Sequence, residues 1–524
     1  VIRVVNLLFW DGVGCIGGNK ILVQDSSKDE SLLLDFGKNF GEENKYFDEF
    51  LKPRDRLGVY DLLRMRMLPP MLNLYRKDLI PANFDFSTDL QQGVKPVGGL
   101  LLSHAHLDHA GCLPYLREDL PVTTSVISGA LLKSLQDTNR QLYSELIAVV
   151  AKELLDTGIL KTAKGSPLQP RPFHLLQRPK DVNGFNDNVW NCNYTKKPYL
   201  PATPDYLENS CQIAKYNIKA WPVDHSIPGA MAYAVETSEG WIVYTGDLRL
   251  HGSKGNLTRA FFQEAAQLHP LLLITEGTHP EETNPVTEEQ VKQRSMEVVA
   301  KTEGLVIADF GARNVERLLS FLQVASETQR YLVLTPKDFL MLEYLNYATP
   351  EVPNPLRDPW LLMYVTPKGR TDGWEDHVRS LVPEEKTVDA RRIRSHPDDY
   401  ILCFSYYDFA NLLDIDVHKG SYIYSSSEPF NEEMAMDHEK IKNWIDLFGF
   451  RIYGRLGQAA GGKDERDPFH ASGHIHAQGL EEMIETIRPK YLIPVHTEKS
   501  DFFQQFQGLT TVLTVQRNKL LRLD

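Results

Sequence analysis

A chain of 524 residues, 42% hydrophobic and 24% charged, is long enough to bury a large core and to divide into about two to four domains. Its net charge of −13 counts against nucleic acid as a general surface partner, although a local basic groove can still dominate binding. The five cysteines (Cys15, Cys112, Cys192, Cys211 and Cys403) are scattered and never form a C-x-x-C pair. They argue against a disulfide framework or a thiolate zinc site and for a reducing compartment, taken as the cytoplasm. No apolar run approaches the length that spans a bilayer, so no membrane partner is expected. The apolar residues 1–10 lack a basic flank and read as a strand, not a signal peptide.

Residues 1–10, 20–24 and 31–35 read as three short strands. Between the first two, residues 12–17 match the dinucleotide fingerprint literally, but a strand follows where a helix must open, so a tight β connection is expected. Asp35 ends an apolar run, where a carboxylate can orient a metal-binding histidine or simply make a turn. Residues 41–92 read as a mixed, largely helical insertion. The run Leu100-Leu101-Leu102 is a buried strand, and directly behind it stands Ser103-His104-Ala105-His106-Leu107-Asp108-His109-Ala110-Gly111. In an extended continuation, period two sends His104, His106 and Asp108 to one side, and His109 opens a short helix. Three imidazoles and a carboxylate in six residues are ligands for a borderline divalent metal such as zinc, and their number suggests more than one ion.

A strand near 122–127 and a long helical stretch over 129–157 follow; residues 165–206, rich in proline and asparagine, read as loop. Strands return at 211–214 and 216–225, the latter ending in His225. Asp247 and Glu276 also stand at the ends of apolar strands. Singly each is a turn residue, but their recurrence at strand ends points to one shared site on a sheet edge. From 287 to about 453 helices and strands alternate as in a separate α/β domain. Its local basic candidates, Arg391-Arg392-Ile393-Arg394 and Arg313 with Arg317, read chiefly as solvated faces. The final segment holds His470-Ala471-Ser472-Gly473-His474, a helix to Arg488, a strand ending in His496 and a β-hairpin over 509–523.

Together His104-Ala105-His106-Leu107-Asp108-His109, His225 and Asp247 resemble the signature of the metallo-β-lactamase fold. Glu276, Ser472-Gly473-His474 and Pro494-Val495-His496 resemble the three further motifs of its β-CASP nuclease branch, and the order of these, Asp35-Phe36-Gly37 and Ser425-Ser426-Ser427 is most similar to the ribonuclease J family. The resemblance implies an α/β fold, an αββα sandwich interrupted by an inserted α/β β-CASP domain: 1–282 as the first part of the sandwich, 283–455 as the insert, and 456–524 as the return. It implies that His104, His106 and His225 hold one zinc ion, that Asp108, His109 and His496 hold a second, and that Asp247 and a water or hydroxide bridge them. Manganese fits the same ligands nearly as well. Catalytic roles fall to Asp108, which handles the proton of the nucleophile, to Glu276, which orients a metal ligand, and to His474, which donates to the scissile phosphate. Ser472, Arg313 and Asn314 join His474 as phosphate-binding candidates. His496 favours RNA over DNA, so the expected activity is hydrolysis of single-stranded RNA, as a 5′–3′ exonuclease, an endonuclease or both. The resemblance also allows a homodimer. Thr497-Glu498 departs from the usual Gly-Glu, and the insertions at 41–92 and 129–206 are longer than the family pattern. Two other readings remain open on the sequence: a dinuclear-zinc esterase or thioesterase on a small molecule, and a non-catalytic RNA-binding paralogue.

Overall fold

The computed structural model describes residues 4–48, 50–80, 94–139, 141–426, 432–456 and 468–523. Residues 1–3 of the first expected strand, residues 49 and 81–92 of the first insertion, and Ser427 of the serine motif therefore lie outside the described residues. Alternation along the strands explains the layering. In strand Val5–Asp11, Val5, Leu7 and Phe9 enter one apolar cluster while Leu8 and Trp10 enter another, and Ile21 and Val23 separate from Leu22 in the next strand. Period two thus supplies a sheet with two buried faces.

That sheet runs Asp205–Leu207, Phe173–Leu176, Val122–Ser125, Val97–Leu101, Ser31–Phe36, Lys20–Asp25, Val5–Asp11, Leu520–Leu523. A second runs Ser210–Ile213, Tyr216–Pro222, Met231–Thr237, Gly240–Tyr244, Leu272–Thr275, Tyr491–Pro494, Thr511–Val512. Their facing side chains, among them Phe9, Leu34, Tyr233, Ile274 and Ile493, form the sandwich core. On the far side of the second sheet, Ala232, Val243 and Leu273 pack against helices Gly255–Ala266 and Ala477–Ile487. The fold is the expected αββα α/β sandwich with an additional α/β unit. No described helix is long and apolar enough to cross a membrane.

Strand Leu272–Thr275 pairs in parallel with Tyr491–Pro494, so the chain leaves the second sheet and returns beside its point of departure. In between lies a third sheet, ordered Thr387–Val388, Leu361–Tyr364, Tyr331–Leu334, Tyr400–Cys403, Leu305–Asp309, Gly420–Tyr424, Phe450–Tyr453, with every pairing parallel. Its helix Pro336–Ala348 lies on helix Val126–Asp137 of the sandwich, where Tyr344 donates to Asp137 Oδ2 at 2.6 Å.

Three expectations are corrected. The helix expected over 129–157 ends at Asp137, because the Thr138 hydroxyl and the Asn139 amide donate back to the carbonyls of Ser134 and Leu135; Ala148–Val150 then pairs with Leu168–Pro170. The loop expected over 165–206 contains Phe173–Leu176, a strand of the first sheet. Its four residues follow Pro170 and Pro172, and only parallel neighbours reveal it. Residues 509–523 are not a hairpin: Thr511–Val512 pairs with Tyr491–Pro494 and Leu520–Leu523 with Val5–Asp11, so each extends the edge of a different sheet.

Arg317, offered by the sequence as part of a basic face, is fully buried. Its Nε and Nη2 donate to Glu288 at 2.8 and 3.1 Å, and its Nη1 donates to the Ser425 carbonyl and hydroxyl and to the Phe469 carbonyl. Buried Arg249 shares the same carboxylate, reaching Glu288 Oε1 at 3.0 Å, Asp224 at 3.2 Å, Glu316 at 2.6 Å and the Ser472 carbonyl at 3.0 Å. Glu288 therefore joins the sandwich, the first helices of the third-sheet unit and the returning chain through a charge pair that water does not reach. Arg391, Arg392 and Arg394 stay exposed. Removing a shared carboxylate leaves two buried guanidiniums short of a partner. Glu288→Ala is expected to destabilise the protein by about 3–5 kcal/mol, read as a lowered Tm and denaturation midpoint; an unchanged midpoint would show that the pair carries no net stability.

Candidate metal centre

Strand Val97–Leu101 delivers the chain buried and extended to His106, whose backbone (φ −70°, ψ 148°) caps a one-turn helix, Leu107–Ala110. Helix therefore begins one residue before Asp108, and the period-two expectation fails there. His106 leaves from extended backbone, whereas Asp108 and His109 leave from a helical turn. The turn seats against two loops: the Gly18 amide, just before strand Lys20–Asp25, donates to the Asp108 carbonyl at 3.0 Å, and the Lys38 amide, just after strand Ser31–Phe36, donates to the Leu107 carbonyl at 2.9 Å. Gly37 permits that approach, since a Cβ there would fall 1.6 Å from the Asp108 carbonyl oxygen.

Three groups of potential ligand atoms result, each gathered within 4.8 Å: His104, His106 and His225 in the first, Asp108, His109, Asp247 and His496 in the second, and Asp247 and His496 again with Glu276 and His474 in the third. His225 follows strand Tyr216–Pro222, Asp247 follows Gly240–Tyr244 and His496 follows Tyr491–Pro494, so alternate strands of the second sheet each contribute one residue past their carboxyl ends. In the first group His104 Nε2 and His225 Nε2 each lie 3.1 Å from His106 Nδ1. Burial, reinforced by the neighbouring imidazoles, holds His104 and His225 well below the ordinary histidine pKa. Burial also pulls His106 down to about 3. All three are thus neutral, the form that binds a metal.

The second group has the opposite balance. Burial pulls His109 down, but the carboxylates of Asp247, Asp108 and Asp35 outweigh it and hold its pKa well above the usual value. Burial pushes Asp108 and Asp247 up, and His109 and His496 outweigh it and hold both carboxylates low. Both Asp247 oxygens and His109 Nε2 are buried without a hydrogen-bond partner, with Nε2 3.1 Å from Oδ2. Orphaned buried lone pairs beside facing imidazole nitrogens are what a divalent cation would satisfy, so the residues fit a metal centre.

Outer contacts fix the ligands. His109 Nδ1 lies 2.7 Å from Asp35 Oδ2, and Asp35 also accepts from the Ser103 amide (2.7 Å), the Ser103 hydroxyl (2.7 Å) and Tyr244 (2.5 Å). His225 Nδ1 lies 2.5 Å from the Gly473 carbonyl, and His496 Nδ1 lies 2.9 Å from the Thr278 hydroxyl. Asp35 and His496 both take left-handed backbone (φ 55° and 52°), a local strain kept where these side chains must be aimed.

The remaining candidates divide. His474 Nδ1 stands 3.0 Å from Glu276 Oε2 and 3.2 Å from Thr278 Oγ1; burial opposes its protonation, but Glu276 outweighs it and pushes the pKa up to about 9. Glu276 accepts from the Leu248 amide at 2.8 Å and reaches His496 only by way of Thr278. Arg313 is half-buried and donates to the Ala105 carbonyl at 3.1 Å, between His104 and His106. The Ser472 hydroxyl accepts from the His474 amide, and the Asn314 side chain accepts from the Arg317 amide as the cap of helix Val315–Glu327. Thr278, Ser103 and Tyr244 escape a sequence reading. The signal for Thr278 is only its place two residues beyond Glu276, and Tyr244 is an ordinary strand residue until the sheets meet.

The metallo-beta-lactamase superfamily family matches residues 74–183, and the Zn-dependent metallo-hydrolase RNA specificity domain matches residues 463–505. Among similar proteins, ribonuclease J of Sinorhizobium meliloti is 26% identical over 337 residues, covering 62% of this chain and 54% of that protein. Ribonuclease J of Mycoplasma genitalium is 25% identical, covering 80% and 60%, and that of Helicobacter pylori strain 26695 is 20% identical, covering 98% and 59%. The chain thus spans somewhat more than half the length of the curated relatives it matches. A crystal structure of a protein of unknown function from Enterococcus faecalis V583 superposes with a TM-score of 0.68 at 21% identity, covering 99% of this chain and 100% of that one, and shares the fold.

Loss of an outer carboxylate loosens a ligand without removing it. Asp35→Asn is expected to weaken metal retention about 10–100-fold in competition with a chelator, with the folded content unchanged by circular dichroism. Retention equal to the parent protein would mean that Asp35 does not orient His109.

Proposed function

We propose that this chain, a ribonuclease J-like protein of the metallo-β-lactamase superfamily, is a metal-dependent hydrolase of phosphodiester bonds in single-stranded RNA, acting in the cytoplasm. One observation carries the reading: the His104–His106–His225 group and the group of Asp108, His109, Asp247 and His496 lie side by side, with Asp247 Oδ2 3.7 and 3.9 Å from His104 and His225 Nε2, next to His474, which Glu276 holds in place. His104, His106 and His225 would hold one zinc ion, Asp108, His109 and His496 a second, and Asp247 would serve both; manganese suits the same donors. Divalent ions at such a centre acidify water and offset charge gathering on a phosphoryl group.

The protein's own residues do the rest. Asp108, with 23% of its side chain exposed, is the more open carboxylate of its group and the one placed to handle the proton of the attacking water. With Nδ1 engaged by Glu276 and Thr278, His474 has Nε2 left to donate to a phosphate oxygen as charge develops. Arg313 adds a guanidinium beside the His104–His106 loop, and Ser472 and Asn314 shape the loop and helix start behind these two groups. A cavity of about 710 Å³ next to Arg313, lined by Phe310, Lys337, Tyr364 and Lys368, gives room for a strand between the two units. We assign 1–282 and 456–524 to the catalytic sandwich and 283–455 to the inserted domain. An esterase would need no such cleft, and a silent paralogue would not keep every ligand.

A 5′-monophosphorylated, 5′-labelled single-stranded RNA tests this. The intact protein with zinc or manganese is expected to cleave it, and an Asp108→Ala, His109→Ala double variant is not. Early labelled mononucleotide means a 5′–3′ exonuclease, and early internal fragments mean an endonuclease. Absence of RNA cleavage with either metal, together with turnover of a simple thioester, would replace the nuclease reading with the esterase one. His474→Gln is expected to lower kcat about 100–1,000-fold at unchanged metal content; a change confined to KM would remove His474 from the chemical step.

A further inference from the structure

We propose that the cavity at the carboxyl ends of the third sheet is a guanine-nucleotide pocket, in which the carboxyl groups of Asp338 and Asp408 read the base and basic side chains hold its phosphate. The inference deepens the RNA reading above and rests on it for the nearest source of such a nucleotide. Its place follows from the topology. Strands Tyr331–Leu334 and Tyr400–Cys403 lie side by side in parallel. The chain runs from the first to Leu361–Tyr364 on one flank, and from the second past Leu305–Asp309 to Gly420–Tyr424 on the other. In a parallel sheet the crevice beyond such a switch of direction is where ligands bind. Thr335, Lys337 and Asp338 after one strand, and Ser405, Tyr407 and Asp408 after the other, line a cavity of about 710 Å³, the size of a small-molecule site.

The chemistry of the lining selects the ligand. Asp338 Oδ2 accepts from the Thr335 hydroxyl at 2.8 Å, and Asp408 Oδ2 accepts from the Ser405 amide and hydroxyl at 3.0 and 2.8 Å. Oδ1 of each is left without a donor among the described residues. Burial pushes Asp338 up to about 7, with Asp408 adding to the shift, and burial raises Asp408 as well. Two carboxyl groups in such surroundings, each with an oxygen to spare, call for N–H donors. Beside them stand Phe310, Trp374 and Phe404, all buried, and at the rim Tyr407, 88% exposed, aromatic groups on which a planar base can stack. A carboxylate is best matched by two adjacent N–H groups on one base edge. Among the four bases guanine alone presents them, at N1 and N2, whereas adenine and cytosine set an acceptor beside their amino group.

Positive charge on the same lining comes from Arg313, Lys337 and Lys368. Lys337 and Lys368 are exposed, at the mouth, and Arg313 is the link to the centre, since it donates to the Ala105 carbonyl between His104 and His106. A strand laid over the centre would reach this cavity at Arg313. A guanosine of that strand and free guanosine monophosphate (GMP) offer the pocket the same chemistry.

The test reads binding and does not depend on catalysis. GMP and the adenine, cytosine and uracil monophosphates are titrated calorimetrically into the full chain; phosphate held at the metal centre alone would not tell them apart. GMP is expected to bind about tenfold or more tighter than the others, and Asp338→Asn and Asp408→Asn are each expected to abolish that preference. Lys337→Ala is expected to weaken GMP while leaving guanosine unchanged. Photolabelling with 8-azido-GMP is expected to mark the peptides around Trp374 or Tyr407. The source is told by single-stranded RNAs carrying one guanosine at successive positions, bound to the Asp108→Ala, His109→Ala variant. An affinity that depends on position assigns the pocket to the substrate strand, and position-independent affinity with tight free GMP assigns it to a free nucleotide. Equal affinity for all four nucleotides, with RNA cleavage intact, would overturn the pocket and leave the nuclease reading standing. Guanine preference in a protein that cleaves no RNA would do the reverse. If the aspartate variants do not fold, photolabel found only outside the cavity lining would overturn the proposal equally.

Discussion

The Asp247 carboxylate is the constraint around which this molecule is built. It is 1% exposed, has no hydrogen-bond donor, and lies within 4 Å of imidazole nitrogens from His104, His109, His225, His474 and His496. A buried charge without donors is tolerable only among groups that can be cationic or can share a cation. Those rings come from both sheets of the sandwich and from the returning chain, so the cost of burying Asp247 is met only when all three have assembled.

A second buried charge system extends that logic to the inserted unit. Arg249 stands two residues beyond Asp247, and Asp224 immediately precedes His225. Through Glu288 both are tied to Arg317, and through Arg317 to Ser425 and Phe469. The network thus holds the chain where it enters the third-sheet unit and where it comes back toward His474. Arg313, one turn before Arg317, reaches the backbone between two metal-ligand candidates. Motion of one unit against the other would break charge-assisted bonds in a dry environment, which makes the cleft at Arg313 a defined space and not an accident of domain contact.

Aiming of the imidazoles is indirect throughout. Asp35, Thr278 and the Gly473 carbonyl each take the second nitrogen of a ring and leave the first toward the centre. Gly473 also makes room, because a Cβ there would lie 3.0 Å from His225 Cε1 and 2.6 Å from the Ser226 hydroxyl. Fixing one nitrogen constrains the ring plane, so a metal ion would meet rings already aimed at the centre.

The local sequence carried a good deal of this. Apolar runs ending in His104, His225, Asp247, Glu276 and His496 could be read as strands with chemistry at one end, since hydrophobic periodicity is a local property. The alternation of helix and strand from 287 onward was legible for the same reason. What local pattern could not give was anything set by a partner strand. Residues 511–512 and 520–523 look like two arms of one hairpin, yet each completes a different sheet, because an edge strand is recruited by the open edge it meets. Phe173–Leu176 becomes a strand only between two parallel neighbours. Likewise spacing alone put His104, His106 and Asp108 together, whereas the helical turn that begins at Leu107, seated against Gly37, sends Asp108 and His109 to the group of Asp247 and His496. Arg317 looked like surface charge because sequence reports a residue's charge and not the carboxylate buried beside it. The chain by itself determined which side chains were candidates for the centre; only the tertiary structure decided which of them meet, since meeting depends on contacts between residues hundreds of positions apart.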